Sequence, residues 1–358
     1  MCKLCMLSIA LAAVITVAGQ YPQVIIPGSR VEKITSAEVA GQEYELHILL
    51  PGGYSSRQRY PVVYVMDSQW DFPLVKSVYG QQYYDGFIPE LIIVGVTWGG
   101  TAPNPDSLRV RDYTPTHDGR PQSGGADKFL AFMRNELFPF MEKKYNADPQ
   151  NRSIAGCSLG GLITLYALFT QPGMFSGYAA ASPAIGWDKE VIYQYEKKYF
   201  QNPANPPARL YMTIGEVERN VPGFEKFAAF MKSRDYPSLQ FRSKILENTG
   251  HSGTKSETFS RGLQYIFERP RLVFGKDKLW NYTGDFISAS GEIARVVMQD
   301  TIAYVKIWDV LYRLYIAGDN DFYATSEFFK MHFSTANNKI TGFRLDRYGR
   351  SDEFTKMK

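Results

Sequence analysis

The stretch Ser153–Leu162, SIAGCSLGGL, holds the pattern Gly-x-Ser-x-Gly at Gly156, Ser158 and Gly160. In a sharp turn from a strand into a helix, the central serine takes a strained backbone conformation, and side chains two residues before and after it would collide. Glycine stands at both places. The apolar residues before the turn predict a strand, and LITLYALF after it predicts a helix. The pattern therefore favours a nucleophilic Ser158 over an incidental serine in a structural turn.

The segments around this turn alternate between strand-like and helix-like patterns. Continuous apolar runs such as YPVVYVMD and ELIIVGVTW are typical of strands buried on both faces of a parallel sheet. KFLAFMRNELFPFMEKKY and GFEKFAAFMKSR place apolar residues at helical spacing. Strand and helix in alternation predict a doubly wound, mostly parallel α/β sheet.

The pattern changes after about residue 275. Short alternating runs such as IARVVMQ, IAYVKIW and ITGFRLDRYG follow one another, with turn residues and no helical segments between them. This succession predicts a small antiparallel β meander or barrel in residues 275–358, behind an α/β domain in residues 20–274.

Residues 1–19 have the pattern of a secretory signal peptide. Lys3 gives a positive start, and MLSIALAAVITVAG is an apolar run too short for a comfortable membrane span. Val17 and Gly19 are small enough to precede a cleavage before Gln20. A retained membrane anchor is the alternative, but no positive stop-transfer flank follows the run. We therefore expect an exported protein, periplasmic or secreted, with no membrane span once the signal is removed.

The composition limits the kinds of partner, cofactor and metal site that we expect. The 358-residue chain has a net charge of +4 and no dense Lys/Arg stripe, which gives no case for nucleic-acid binding. Cys2 and Cys5 leave with the signal, so Cys157 can form no internal disulfide and no structural zinc site with a second cysteine. No two histidines lie at metal-ligand spacing. We expect neither a catalytic metal nor an organic cofactor, and the oligomeric state stays open.

A serine hydroxyl needs a base to take its proton, and in this fold the chain order is serine, acid, histidine. His47 and His117 precede Ser158, and His332 lies in the β-rich tail. His251 alone follows the serine inside the α/β region, in the loop ENTGHSGTK after the strand-like LQFRSKILE. Loops at the carboxyl ends of strands gather to form sites. His251 is therefore the predicted base.

Three carboxylates are candidates for the acid that orients this histidine. Glu216 and Glu218 stand in RLYMTIGEVERN, just beyond a strand end. Asp188, in SPAIGWD, follows the preceding strand-like run SGYAAASP. The residues alone leave the choice open.

The motifs RYPVVYVMD, RVRDYTP, SIAGCSLGGL, LYMTIGEVE and NTGHSG, in this order, resemble the esterase family of the α/β-hydrolases. That family includes siderophore esterases, S-formylglutathione hydrolase, feruloyl and acetyl-xylan esterases, and mycolyltransferases. The resemblance covers roughly residues 25 to 270. It implies a nucleophile at Ser158 and a base at His251, and it favours Glu218, three residues after Gly215, as the acid.

The same resemblance implies an oxyanion hole. One donor would be the backbone N–H of Leu159, and the other an N–H just after VVYVMD. Many relatives have Asp-Gly there, whereas this chain has Asp67-Ser68, so Ser68 and Gln69 are both candidates. Cys157 stands where many relatives have His or Gln, and we expect it to be packed and inert.

These residues predict hydrolysis of carboxylic esters through an acyl-enzyme on Ser158. The same acyl-enzyme could instead pass its acyl group to a second alcohol, and a catalytically silent module for glycans or siderophores is the alternative from another class. The expected partner is a small-molecule or glycan ester. The residues near the site that we consider as substrate contacts are Trp70, Trp98, Arg111 and Trp187.

The tail resembles the small lipocalin-like β domain appended to some penicillin-binding-protein-like hydrolases, through LYRLYIAGDNDFYATSEFF and KITGFRLDRYG. This resemblance implies no catalytic residue. It implies a role in capping the site, binding substrate or pairing subunits, with the tail's aromatic residues in its core.

Overall fold

The computed structural model describes residues 25–325, 329–347 and 350–358, so the predicted signal peptide lies outside the described residues. The chain forms a mostly parallel α/β sheet followed by an antiparallel sheet, as the sequence predicted. The strands of the first sheet are β1 (Ser29–Thr35), β2 (Glu43–Leu49), β3 (Tyr60–Val65), β4 (Ile92–Trp98), β5 (Ala147–Cys157), β6 (Gly177–Ala181), β7 (Ala208–Gly215) and β8 (Leu239–Leu246).

The first sheet has eight strands in the order β1-β2-β4-β3-β5-β6-β7-β8. β1 pairs antiparallel with β2 and β2 with β4, whereas all later neighbours are parallel. Every residue of β4 and β6 is buried, which explains their continuous apolar sequences. Because β3 and β5 to β8 run the same way, the loops after them meet at one edge of the sheet.

Helices cover both faces of this sheet. They are α1 (Ser68–Tyr84), α2 (Pro105–Tyr113), α3 (Ala126–Phe132), α4 (Phe138–Tyr145), α5 (Leu159–Thr170), α6 (Trp187–Glu190), α7 (Ile192–Phe200), α8 (Val221–Lys232) and α9 (Thr254–Ile266). A further short helix, α10 (Lys276–Trp280), belongs to the tail and packs into its core through Leu279. One apolar cluster joins the sheet to α1 and α9, and a larger one joins its other face to α3, α5, α7 and α8.

The long helix predicted from KFLAFMRNELFPFMEKKY is interrupted. A wide π-type turn at Met133–Leu137 separates α3 from α4. Pro139 follows this turn, and its ring nitrogen cannot donate to the carbonyl of Asn135, four residues earlier. The missing hydrogen bond is the physical reason for the interruption.

The second sheet is antiparallel throughout, with the order β12-β11-β10-β9-β17-β16-β15-β14-β13. Its strands are β9 (Gly284–Ser288), β10 (Ile293–Gln299), β11 (Ile302–Ile307), β12 (Val310–Arg313), β13 (Tyr315–Ile316), β14 (Asp321–Tyr323), β15 (Phe329–Ala336), β16 (Lys339–Arg347) and β17 (Arg350–Lys356). They curve into a near-barrel with its own apolar core, which includes Phe286, Phe333 and Phe343. The prediction that the tail's aromatic residues are core is confirmed.

The near-barrel docks on the edge of the first sheet where the parallel strands begin. Gln58, before β3, and Glu90, before β4, line a cavity of about 540 Å³ together with Lys330 of β15. Gly86, just after α1, packs so closely on the tail that a Cβ there would lie 2.6 Å from the carbonyl oxygen of Thr325. The loops that carry the predicted site residues lie at the opposite edge. This arrangement does not support capping of the site by the tail, and substrate binding and subunit pairing stay predictions.

Candidate active site

The serine turn has the strained backbone that its glycines were expected to permit. Ser158 adopts φ 61° and ψ −115°, a conformation that few residues other than glycine take. A Cβ on Gly156 would overlap the backbone of Gly160, and a Cβ on Gly160 would lie 3.1 Å from a carboxylate oxygen of Asp67. Gly156 is therefore required for the turn to close, and Gly160 gives the turn close contact with the Asp67 side chain.

Two hydrogen bonds hold Ser158 at the carboxyl edge of the sheet. Its N–H donates to the carbonyl of Ala181 over 2.9 Å, and its carbonyl accepts from the N–H of Ala184 over 3.0 Å. The side chain is half-buried, and α5 begins at the next residue. Because the first N–H groups of a helix have no partner within it, they are available as donors beside the serine.

His251 lies in the loop between β8 and α9 and contacts Glu218. Nδ1 of the imidazole is 2.6 Å from Oε2 of the carboxylate. The His251 side chain is 49% exposed, whereas that of Glu218 is 8% exposed. Because the carboxylate occupies Nδ1, Nε2 is the ring nitrogen that can serve a nucleophile.

The Glu218 carboxylate has further donors. Its Oε1 accepts from the hydroxyl of Ser182 over 2.6 Å and from the N–H of Gly215 over 2.8 Å. Burial works to raise the pKa of Glu218, but the hydrogen bonds from Ser182, His251 and Gly215 outweigh it and hold that pKa below its usual value. The carboxylate is therefore ionised at neutral pH and can stabilise a charged imidazolium.

The other two candidate acids lie elsewhere. Glu216 accepts the N–H of Asn248 over 2.9 Å. Asp188 sits in α6 with φ 41° and ψ 63°, and the described hydrogen bonds of His251 do not include it. Of the three candidates, the structure brings Glu218 to the imidazole.

The residues predicted for the oxyanion hole begin two helices. Ser68 is the first residue of α1 and Leu159 the first of α5, so the N–H of each lacks a partner within its helix. The hydroxyl of Ser68 lies 2.8 Å from Nδ1 of His47, which leaves the backbone N–H as the available donor. Gln69, the alternative, accepts from the Thr97 hydroxyl through its side-chain oxygen over 2.7 Å. The choice between Ser68 and Gln69 stays a prediction.

A buried ion pair braces the start of α1. Asp67, just before it, has φ 54° and ψ 44°. Its carboxylate accepts from Nε and Nη2 of Arg109 over 3.0 and 2.8 Å. Nη2 also donates to the carbonyl of Cys157 over 3.3 Å. Arg109 thus joins the two helix starts that the oxyanion hole requires.

Two of the candidate substrate contacts belong to a buried network. Nε1 of Trp98 donates to Asp112 over 2.7 Å, and Arg111 holds the same carboxylate through Nε and Nη2 over 2.7 and 2.9 Å. Trp98 is 4% exposed. The structure therefore gives no support to substrate contact by Trp98 or Arg111.

The other two candidates differ in exposure. Trp70, on α1, is 48% exposed, with the guanidinium of Arg109 5.7 Å from its ring. Trp187 is buried and donates to the Thr116 hydroxyl over 3.2 Å, with the exposed Arg120 guanidinium stacked 4.4 Å from its ring. Trp70 can therefore offer an aromatic surface, while Trp187 supports an exposed cation.

A cavity of about 230 Å³ opens at the carboxyl ends of β6 and β7. Its lining includes Pro183 and Ile185, which follow β6, and Arg219, which follows Glu218 in sequence. The last residue of β6, Ala181, is the one that accepts the N–H of Ser158. The cavity thus combines apolar residues with one cation, Arg219, and one carboxylate, Glu190.

Cys157 is packed, as predicted, and burial raises the pKa of its thiol to about 12. Across the part of the chain that the structure describes, no group of three or more His, Cys, Asp or Glu side chains could hold a metal ion. No helix within those same residues is long and apolar enough to cross a membrane.

The sequence reasoning did not single out Arg109, Ser182 or Thr254. Ser182 directly follows the strand-like GYAAA, and Thr254 stands three residues after His251, so position beside strand ends and site residues was the available signal. Arg109 opens the motif RVRDYTP, but its ion pair with Asp67 had no local signal, because Asp67 is distant in sequence.

Known esterases are similar to this chain. The chain matches the family described as "Putative esterase" over residues 36–257, a range that contains the serine turn and the Glu–His pair. It is 31% identical over 211 residues to "Ferri-bacillibactin esterase BesA" of Bacillus subtilis (strain 168), and this match covers 54% of this chain and 72% of that protein.

Solved structures of two bacterial proteins have a fold similar to that of this chain. The BES protein from Bacillus cereus superposes with a TM-score of 0.63 at 27% identity, over 69% of this chain and 98% of that one. An IroE-like serine hydrolase from Shewanella oneidensis superposes with a TM-score of 0.60 at 26% identity, over 67% of this chain and 80% of that one.

Proposed function

Because the chain belongs to the putative esterase family of the α/β-hydrolases, we propose that it is a serine esterase with Ser158 as nucleophile, His251 as base and Glu218 as acid. The observation that carries this proposal is the 2.6 Å contact between His251 Nδ1 and Glu218, at the same sheet edge as a serine with φ 61° and ψ −115°. A serine hydroxyl needs a base that takes its proton and a position that substrate can reach. In this proposal the His251–Glu218 pair provides the base, and the strained turn provides the position.

In the proposed first step, Nε2 of His251 takes the hydroxyl proton of Ser158 while Oγ attacks the ester carbonyl carbon. The carbonyl electron pair moves onto oxygen, where the N–H groups of Leu159 and Ser68 stabilise it, a contribution typically of ~3 kcal/mol per donor. The intermediate collapses, the ester C–O bond breaks, and His251 returns the proton to the leaving alcohol. Water then attacks the acyl-enzyme in the same way and releases the acid.

For the substrate we propose aromatic, anionic esters of the catecholate siderophore class. One support is the similarity to a ferri-bacillibactin esterase. The other is the surface beside the site. Trp70 presents an exposed ring, and Arg219, the residue after Glu218, lines the cavity at the carboxyl ends of β6 and β7. Aromatic faces and cations suit acidic aryl groups.

Fluorophosphonate labelling combined with a substrate panel tests the proposal. We expect labelling of the wild type at Ser158, located by mass spectrometry, and hydrolysis of catecholate siderophore esters ahead of acetylated glycans and simple alkyl esters. Labelling at another residue, or none, would refute the serine mechanism. Preference for the glycan esters would refute the substrate class and leave the mechanism intact.

We also propose that the protein is exported, on the evidence of the N-terminal sequence alone. Expression of the full chain in a Gram-negative host, followed by N-terminal sequencing of the periplasmic fraction, checks this. The expected first residue is Gln20. Retention of Met1 in the cytoplasmic fraction would contradict it.

A further inference from the structure

Buried hydroxyl groups connect the proposed acid to the loop that carries the proposed base. Ser182, directly after β6, is 4% exposed and donates to Oε1 of Glu218 over 2.6 Å. Its Oγ lies 2.9 Å from Oγ1 of Thr254, the first residue of α9. Oγ1 of Thr254 lies 2.7 Å from the carbonyl oxygen of His251. Two hydroxyl side chains thus join the acid to the backbone of the base.

Proton counting shows how these contacts depend on one another. The Glu218 carboxylate and the His251 carbonyl can only accept, and Ser182 and Thr254 have one hydroxyl proton each for three contacts. With Ser182 donating to Glu218, the Thr254 proton goes either to Ser182 or to the His251 carbonyl. The first arrangement polarises the bond to the carboxylate, and the second holds the histidine loop.

The backbone keeps both hydroxyls in place. Ser182 has φ 39°, an uncommon value for a serine, and its N–H donates to the carbonyl of Thr213 over 2.8 Å. Thr254 is fully buried, and its carbonyl accepts from the Thr258 hydroxyl over 2.8 Å. A buried hydroxyl without its partner costs free energy, so neither side chain can easily turn away.

We propose that Ser182 and Thr254 are positioning residues, which hold the Glu218 carboxylate and the His251 ring in the relative orientation that proton transfer from Ser158 requires. This inference rests on the proposed esterase function. Neither hydroxyl contacts the imidazole, so each acts through Glu218 or through the His251 backbone.

The test measures kcat and KM for an aryl ester in four variants of the full chain. Ser182→Ala and Thr254→Val remove a hydroxyl at nearly constant shape, and each is expected to lower kcat about tenfold with KM unchanged, the size of one net hydrogen bond. Thr254→Ser restores the hydroxyl and is expected to restore kcat. Thr164→Val is the matched control, because Thr164 is equally buried and its hydroxyl donates to the carbonyl of Gly160, but it contacts neither Glu218 nor the His251 carbonyl.

A variant of the acid separates positioning from structural support. In a Glu218→Gln background, Ser182→Ala is expected to cause no further loss of kcat, because the residue acts through the carboxylate. An equal loss in both backgrounds would overturn the inference. The inference would also be overturned if folded Ser182→Ala and Thr254→Val both kept the wild-type kcat. The same holds if Thr254→Ser lost as much kcat as Thr254→Val.

Two further variants, Ser182→Gly and Ser158→Ala, complete the test. If Ser182→Ala fails to fold by circular dichroism, Ser182→Gly removes the same hydroxyl with a residue suited to φ 39°. Ser158→Ala distinguishes the two proposals. Activity in that variant refutes the esterase assignment, whereas an inactive Ser158→Ala with fully active Ser182 and Thr254 variants refutes the positioning role alone.

Discussion

A second set of Glu, His and Ser side chains lies in contact where β2 meets the start of α1. Nε2 of His47 is 3.0 Å from Oε1 of Glu45, and Nδ1 is 2.8 Å from Oγ of Ser68. By residue type this set looks like a triad, as does the set formed by the residues after β5, β7 and β8, in which His251 contacts Glu218.

Burial separates the two sets. Ser68 is fully buried, and its Oγ packs on the backbone of Gly95. Glu45, at the other end of this set, is more exposed. In the proposed triad the order is reversed, because Ser158 is half-buried on a strained turn and Glu218 is almost inaccessible. A nucleophile must reach the substrate, and a carboxylate acts more strongly on an imidazole away from water. Access of the serine and burial of the acid, rather than residue types, therefore distinguish the proposed triad from the second set.

The largest effect that tests this comparison is loss of the serine or the base. Ser158→Ala and His251→Ala are each expected to lower kcat by at least about a thousandfold, since removal of a triad member typically costs several orders of magnitude. His47→Ala is the matched control and should keep more than about a tenth of kcat, because the Ser68 hydroxyl that it contacts is buried and cannot attack the ester carbonyl. Initial rates on an aryl ester, with folding checked by circular dichroism, measure this. A folded Ser158→Ala with more than about a tenth of wild-type kcat would reject the assignment.

The acid gives the second effect. Glu218→Gln is expected to lower kcat by up to about 10⁴-fold, because the amide cannot stabilise the imidazolium and favours the wrong tautomer. Glu216→Gln, Asp188→Asn and Glu45→Gln should stay within a few-fold of the wild type. The same kinetic assay ranks the four variants. If Asp188→Asn is the most damaging, the acid lies one strand earlier than proposed.

Sequence patterns on both sides of Ser158 predicted most strands of the first sheet. Continuous apolar runs indicated the buried strands, and the two glycines indicated the strained turn. His251 followed from chain order, and Glu218 from chain order together with the family resemblance. These features were predictable because each depends on local sequence and on the rule that loops after parallel strands meet.

What the sequence could not show depends on contacts between distant segments. Trp98 stands at a strand end, as a substrate contact would, but its partner Asp112 turns it into the core. The hydroxyl bridge between Ser182 and Thr254 joins residues that are far apart in the chain. The docking of the tail at the opposite edge from Ser158 has no local signature either, because it depends on surfaces that form only after both sheets have folded.

Removal of the tail is expected to have a smaller effect than any triad substitution. A chain ending at Arg271 should still react with a fluorophosphonate at Ser158, because the near-barrel docks where the parallel strands begin. Its melting temperature should fall, since the surface around Gly86 and Glu90 becomes exposed. Labelling rate and thermal unfolding, measured against the full chain, test this. A truncated protein that is folded but does not label would show that the tail contributes to the site.

The smallest expected effect concerns Cys157, the residue beside the proposed nucleophile. A thiol is ordinarily the better nucleophile, but only as the thiolate. Burial raises the pKa of Cys157 to about 12, so the thiolate fraction is negligible at pH 7 to 9 and rises only as the pH approaches that value. We therefore expect no alkylation of the native protein by iodoacetamide at pH 8, with full alkylation after unfolding in guanidinium as the control. Prompt modification of the native thiol would mean that Cys157 is accessible, and access would then no longer distinguish Ser158 from its neighbour.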